Sequence, residues 1–155
     1  RRNHDEIRLW ADYIDPARGA YLIDDGGARG GLQADARFVI LGDHNADPLD
    51  GDSTDNAIQQ LLAHPRIDAS VVPASRGAVE SAARNGGANV GQRGDPAHDT
   101  GSFDPRVGNL RLDYVLPSRG ITLRDTGVYW PREGEPGAKA VTATDHRMVW
   151  VDMEW

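Results

Sequence analysis

The chain has 155 residues, of which 39% are hydrophobic and 26% charged, with a formal net charge of -7 and no cysteine. That size and composition suit one globular domain with its own core and set intrinsic disorder aside. The absent cysteines exclude disulfides, thiolate zinc sites and cysteine nucleophiles. The acidic balance argues against a broad basic surface that holds nucleic acid by displacing counterions, and no apolar run reaches the roughly 18 residues a membrane span needs.

In chain order, Asn3 and Glu6 have the spacing of a capping box, and Ile7, Trp10 and Ile14 recur at helical intervals. A helix is therefore predicted from about His4 to Ile14, stopped by Pro16. Asp24 to Gly27 reads as a turn. Phe38 to Leu41 is a short continuous apolar run, the pattern of a buried strand, and it delivers Gly42, Asp43 and Asn45 at its end. Ser53 can cap a second helix with Ile58, Leu61 and Leu62 on one face. Pro73 to Gly108 shows no sustained period and reads as a long loop. Strands are predicted at Leu110 to Leu116, Ile121 to Leu123 and Arg147 to Met153, and this interspersion indicates an α/β or α+β layered fold.

Three segments carry chemistry: Gly-Asp-His-Asn at Gly42 to Asn45, Arg-Leu-Asp-Tyr at Arg111 to Tyr114, and Thr-Asp-His at Thr144 to His146. Together they supply three carboxylates, one carboxamide and one imidazole, a set suited to metal-assisted attack on a phosphate ester. Strand alternation puts Asp43 and Asn45 on one face and His44 on the other. Asp43 can then accept a hydrogen bond from an attacking water while Asn45 donates to the phosphate or orients that water. His44 reads as a satisfied histidine behind the site. Taken alone, Arg111 and Asp113 could be a surface ion pair, and Thr144 to His146 a cap with an exposed histidine. The dense aspartates from Asp43 to Asp55 fail as a calcium loop, because the sixth and twelfth positions are Pro48 and Thr54. In the long loop, His98 could approach the site, and Arg84, Arg93 and Arg106 could contact phosphate.

The order and spacing of these motifs, with Pro48 following the first, resemble the C-terminal half of the endonuclease/exonuclease/phosphatase family, the deoxyribonuclease I-like fold. The resemblance spans nearly the whole chain. It departs at His44, where the family carries an apolar residue, and at Thr144, where it carries serine.

The resemblance implies half of a four-layer α/β sandwich, the N-terminal half lying outside these 155 residues. It implies that Asp113 orients His146, that His146 is the general acid/base or phosphate contact, and that Asp145 ligates a divalent ion. Asp43 and Asn45 complete the catalytic set, with Asn45 and Arg111 contacting substrate. Carboxylate and water ligands favour Mg²⁺, with Mn²⁺ or Ca²⁺ as alternatives. The expected activity is hydrolysis of phosphate esters by activated water, as a nuclease or a phosphatase, with nucleic acid among the candidate substrates. The family's asparagine and metal-binding glutamate have no counterpart in residues 1 to 35. The isolated chain is therefore expected to be inactive, and to pair with the N-terminal half of its domain or with a second copy of itself. Similarity to secreted bacterial members implies an extracellular setting. The reading from a different class is a non-catalytic interaction module that keeps the fold.

Overall fold

The computed structural model describes residues 1 to 155. Its first helix, α1 (Arg2–Tyr13), buries Ile7, Ala11 and Ile14 on one stripe. That corrects the predicted stripe at one position, because Trp10 stays half exposed and meets Tyr13 edge-on. The capping box is also not formed. Glu6 pairs with Arg2 at 2.8 Å, and Asn3, inside the first turn, donates from Nδ2 to the carbonyls of His44 and Asn45, both at 3.0 Å. Distant carbonyls displace the local cap, and the helix thereby clamps the Asp43 loop.

The expected turn at Asp24 forms, with the Asp24 side chain accepting the Ala28 N–H at 2.9 Å and Gly27 at φ +83°. Strand β1 (Val39–Asp43) follows. The second helix, α2 (Gln59–Leu62), is a single turn: Ser53 accepts the Ala57 N–H ahead of it at 3.1 Å, and Ile58 and Leu61 are fully buried.

The segment expected to be a long loop contains a third helix, α3 (Arg76–Asn85), capped by the Ser75 hydroxyl accepting the Ala78 N–H. Its buried face is Gly77, Ala78, Ser81 and Ala82, too small and too polar to register as an apolar stripe. Smallness is the point of that face. A side chain at Gly77 would run into the Trp130 carbonyl, so glycine lets the helix backbone press against that segment.

Five further strands complete the fold: β2 (Gly101–Ser102), β3 (Asn109–Leu110), β4 (Asp113–Pro117), β5 (Thr122–Tyr129) and β6 (Met148–Glu154). They form three antiparallel pairs, β1–β4, β2–β3 and β5–β6, with β6 running beside β4. The strand predicted from Leu110 to Leu116 is thus broken at Arg111–Leu112, because side chains take the main-chain donors there: Asp47 accepts the Arg111 N–H and Thr100 those of Leu112 and Asp113. The strand predicted at Ile121–Leu123 extends to Tyr129 by pairing along β6, with a register shift between Leu123 and Asp125.

The main core joins α1, β1, α2 and β4 through Ile7, Ile14, Ile40, Ile58, Leu61, Tyr114 and Leu116. A smaller one joins α3 to β5 through Ala78, Val128 and Trp130. Three helices and three small antiparallel sheets make up the chain, the mixed α/β class expected. No helix is long and apolar enough to cross a membrane.

Candidate active site

Backbone geometry at the end of β1 explains the Gly-Asp-His-Asn run. Gly42 sits at φ +137° and Asn45 at φ +46°, conformations that glycine and asparagine adopt most readily. The Asn45 N–H donates to Asp43 Oδ1 at 2.7 Å, closing a tight turn that ends the strand. Asp43 Oδ2 and the Asn45 side-chain amide remain uncommitted at the surface. His44 packs against the Tyr114 ring, with centroids 5.7 Å apart, but its buried Nε2 has no partner. The expectation of a satisfied histidine is therefore corrected to a packed one, and burial holds its pKa below the ordinary imidazole value.

Register places Asp113 directly opposite Asp43 across the β1–β4 pair. Two carboxylates on one rung repel, so the arrangement weakens the sheet unless cationic or donor groups face them. His146 is one such group. Its Nδ1 lies 2.9 Å from Asp113 Oδ2 and its Nε2 4.0 Å from Asp43 Oδ2. The three residues can bring ligand atoms within 4.8 Å of one another. Partial burial depresses the His146 pKa, but the hydrogen bond it donates to Asp113 and the charges of Asp113, Asp43 and Asp145 outweigh it and leave the pKa raised.

The turn before β6 presents the imidazole. The Thr144 hydroxyl accepts the His146 N–H at 3.2 Å. The turn then runs antiparallel to β2: Ser102 donates to the Asp145 carbonyl at 2.9 Å, and Arg147 donates to the Thr100 carbonyl at 2.7 Å. Phe103 meets the His146 ring edge-on, with centroids 5.7 Å apart. A side chain at Gly101 would collide with that phenyl ring.

Not all the expected site residues converge. Asp43, Asp113 and His146 do, with Asn45 beside them. The Asp145 carboxylate points to solvent, touching only the Thr144 hydroxyl at 3.4 Å, outside the trio. Arg111 does not share a face with Asp113, because the strand breaks between them. Its guanidinium stacks on the Tyr114 ring 4.6 Å from the centroid, and its main-chain N–H goes to Asp47 at 2.7 Å. His98 is engaged by the Pro73 carbonyl at 3.0 Å, and Arg84, Arg93 and Arg106 face Glu133, Asp50 and Asp104. Sequence reasoning missed three residues that shape the site: Asn3, whose spacing imitated a cap, and Thr100 and Phe103, which lie in a segment without periodicity.

The sequence profile of the Endonuclease/Exonuclease/phosphatase family matches residues 5–146. The chain belongs to that family. Its mixed α/β organisation is that of the deoxyribonuclease I-like fold, and the matched stretch ends at His146. Members of the family are generally hydrolytic phosphoesterases, nucleases among them, that use a divalent metal. Comparison with curated proteins and with solved structures found no match.

The donor chemistry here fits a hard divalent cation. All the acidic groups are carboxylates, no thiolate competes, and the Asp145 carboxylate and Asp43 Oδ2 have no strong partner. Within the trio, however, His146 Nδ1 and Asp113 Oδ2 already bind each other at 2.9 Å, which takes those two atoms out of any ligand set.

Proposed function

We propose that this protein is a divalent-metal-dependent phosphoesterase that hydrolyses a phosphate ester by direct attack of water. The observation that carries the proposal is the His146 ring, fixed to Asp113 at 2.9 Å on one side and set 4.0 Å from Asp43 Oδ2 on the other. A gap of 4.0 Å is too long for a hydrogen bond and suits one intervening oxygen.

Asp43, with Oδ1 taken by the Asn45 amide, uses Oδ2 to accept a proton from the attacking water and to hold it in line. Asn45 donates from its free side-chain amide to the phosphate. His146 exchanges a proton through Nε2 or donates to a phosphate oxygen, and Asp113 keeps the ring oriented and raises its proton affinity. Asp145 is the residue that would hold the cation, which would supply charge neutralisation at the phosphate. Oxygen donors favour Mg²⁺ among the candidates, with Mn²⁺ and Ca²⁺ next. Arg111, stacked on Tyr114, receives no substrate role. A cleft of about 980 Å³ opens beside Asp145, lined by Asn85, Ser102, Glu133, Lys139 and Arg147 among others, and offers room for the leaving group.

The substrate is a nucleic acid or a small phosphate ester, and the net charge of -7 favours the latter. The ligand set is completed by the N-terminal half of the domain, which also covers the outer face of β1. Leu41 on that face is 69% exposed, and a two-stranded pair is marginal by itself. Residues 1 to 155 alone are accordingly inactive and associate through that face, with the missing half or with a second copy. The extracellular setting follows the resemblance to secreted members.

The test is a phosphodiester assay in Mg²⁺ on the complete protein. His146→Ala is expected to lower kcat/KM by about 10²- to 10⁴-fold with the fold intact. Turnover within a few-fold of the parent would favour the non-catalytic module.

A further inference from the structure

We propose that Thr100 is a positioning residue that holds Asp113 as the acceptor of the His146 Nδ1 proton, leaving Nε2 as the nitrogen that faces water and substrate. The proposal rests on the reading of His146 as the acid/base group, and it concerns a residue that no motif in the sequence marks.

Thr100 is 1% exposed, so its hydroxyl must find its partners within the protein. Oγ1 accepts the N–H of Leu112 at 2.9 Å and the N–H of Asp113 at 3.0 Å. A hydroxyl has two lone pairs and one proton. Both lone pairs are taken, so the proton goes to its remaining neighbour, Asp113 Oδ2, at 2.8 Å. That oxygen is therefore an acceptor. His146 Nδ1 lies 2.9 Å from the same oxygen and must donate to it. Counting donors and acceptors thus assigns the imidazole tautomer: Nδ1 carries the proton, and Nε2 is free on the neutral ring.

The backbone of Thr100 strengthens the assignment. Its N–H donates to the Leu110 carbonyl at 2.9 Å, and its carbonyl accepts from Arg147 at 2.7 Å. The backbone of this one residue therefore ties β3, just ahead of the strand that carries Asp113, to the turn that carries His146. The hydroxyl also occupies the two amides freed where β3 and β4 separate. Without it, Leu112 and Asp113 would each have a buried N–H in need of an acceptor. The Asp113 carboxylate, bonded to the same hydroxyl, can supply one by turning inward, and that releases the ring.

Thr100→Val removes the hydroxyl at nearly constant volume, and Thr100→Ser keeps it. Ring ¹⁵N spectra of His146, recorded where the imidazole is neutral, read the tautomer without reference to activity. The wild type and Thr100→Ser are expected to show Nδ1 protonated, and Thr100→Val to show a shift toward the Nε2-protonated form. In the complete protein, Thr100→Val should lower kcat by about 10- to 100-fold with little change in KM, while Thr100→Ser stays near the parent.

An unmoved Nδ1 tautomer in a folded Thr100→Val protein overturns the proposal. Should that variant not fold, the wild type still decides: a Thr100 hydroxyl proton protected from exchange supports the assignment, and one that exchanges as fast as an exposed threonine's overturns it. The two readings separate cleanly. A tautomer shift in a protein that hydrolyses no phosphate ester upholds Thr100 and sinks the function, whereas full hydrolysis with an unmoved tautomer sinks Thr100 alone.

Discussion

Two pairs of aspartates, Asp47 with Asp50 and Asp43 with Asp113, are used in opposite ways. Asp47 and Asp50 give their oxygens to main-chain amides. Asp47 accepts those of Leu49, Asp50 and Arg111 at 2.7 to 2.8 Å, and Asp50 accepts those of Arg93 and Gly94. Asp43 and Asp113, by contrast, face each other across one rung and share an imidazole, and Asp43 Oδ2 has no strong partner. A carboxylate whose lone pairs are consumed by amides builds a loop, whereas one left half-satisfied beside a titratable ring is equipped for proton transfer. Asp99 stands between these cases: it is buried, and one of its oxygens has no partner.

The sharpest way to break this contrast is to exchange the two kinds of loss. Asp43→Asn should lower phosphoesterase turnover about 10²-fold or more while leaving the melting temperature within about 2 °C, because an amide oxygen still accepts the Asn45 N–H. Asp47→Ala should do the reverse. It strands three main-chain donors, which costs about 2–4 kcal/mol and lowers the melting temperature by about 5–10 °C. Thermal melts beside steady-state assays would refute the division if Asp47→Ala left stability unchanged.

Asp99 sharpens it through pH. Burial, reinforced by the charges of Asp47, Asp50 and Asp95, pushes its pKa up to about 7. A carboxyl with a raised folded-state pKa holds its proton more tightly folded than unfolded, so its contribution to stability falls as pH rises from about 4 to about 7. Asp99→Asn should abolish that loss, worth at most a few kcal/mol, and become more stable relative to the parent at pH 8 than at pH 5. The buried His44 and His64 act in the opposite sense on the acid side, but they are common to both proteins and cancel in the difference. Urea unfolding at the two pH values decides it, and a difference independent of pH would show that Asp99 is ionised throughout.

The smallest effect belongs to Asn3→Ala. Loss of the clamp on the His44 and Asn45 carbonyls should cost about 1 kcal/mol and reduce turnover a few-fold by loosening the Asp43 turn. A variant equal to the parent in both respects would remove α1 from the account of the site.

Where local chemistry and tertiary placement agree, the sequence was readable. Phe38 to Asn45 is one case: an apolar run, a glycine that tolerates φ +137° and an asparagine that tolerates φ +46° leave few alternatives to a strand ending in a tight turn. Asp113 and His146 could be named from their motifs, although only the fold shows them 2.9 Å apart. Helix α3 was hidden because its packing face is made of glycine, alanine and serine, which bury through close backbone approach and leave no hydropathy signal. The break at Arg111–Leu112 was hidden because side chains 12 to 64 positions away create it, and with it went the expectation that Arg111 lies beside Asp113. Thr100 is the same kind of case: a threonine in a glycine-rich stretch whose meaning lies wholly in what it touches.

The central claim is that Asp113 and His146 act as one unit in phosphate-ester hydrolysis, and a double-mutant cycle on the complete protein tests it most directly. With kcat/KM for a phosphodiester in Mg²⁺ measured for Asp113→Asn, His146→Ala and the double variant, the account predicts that each single change costs orders of magnitude. It also predicts that the double variant is about as active as His146→Ala alone, since an aspartate that works through the ring has nothing left to orient. Losses that simply multiply, or a His146→Ala protein as active as its parent, would contradict it.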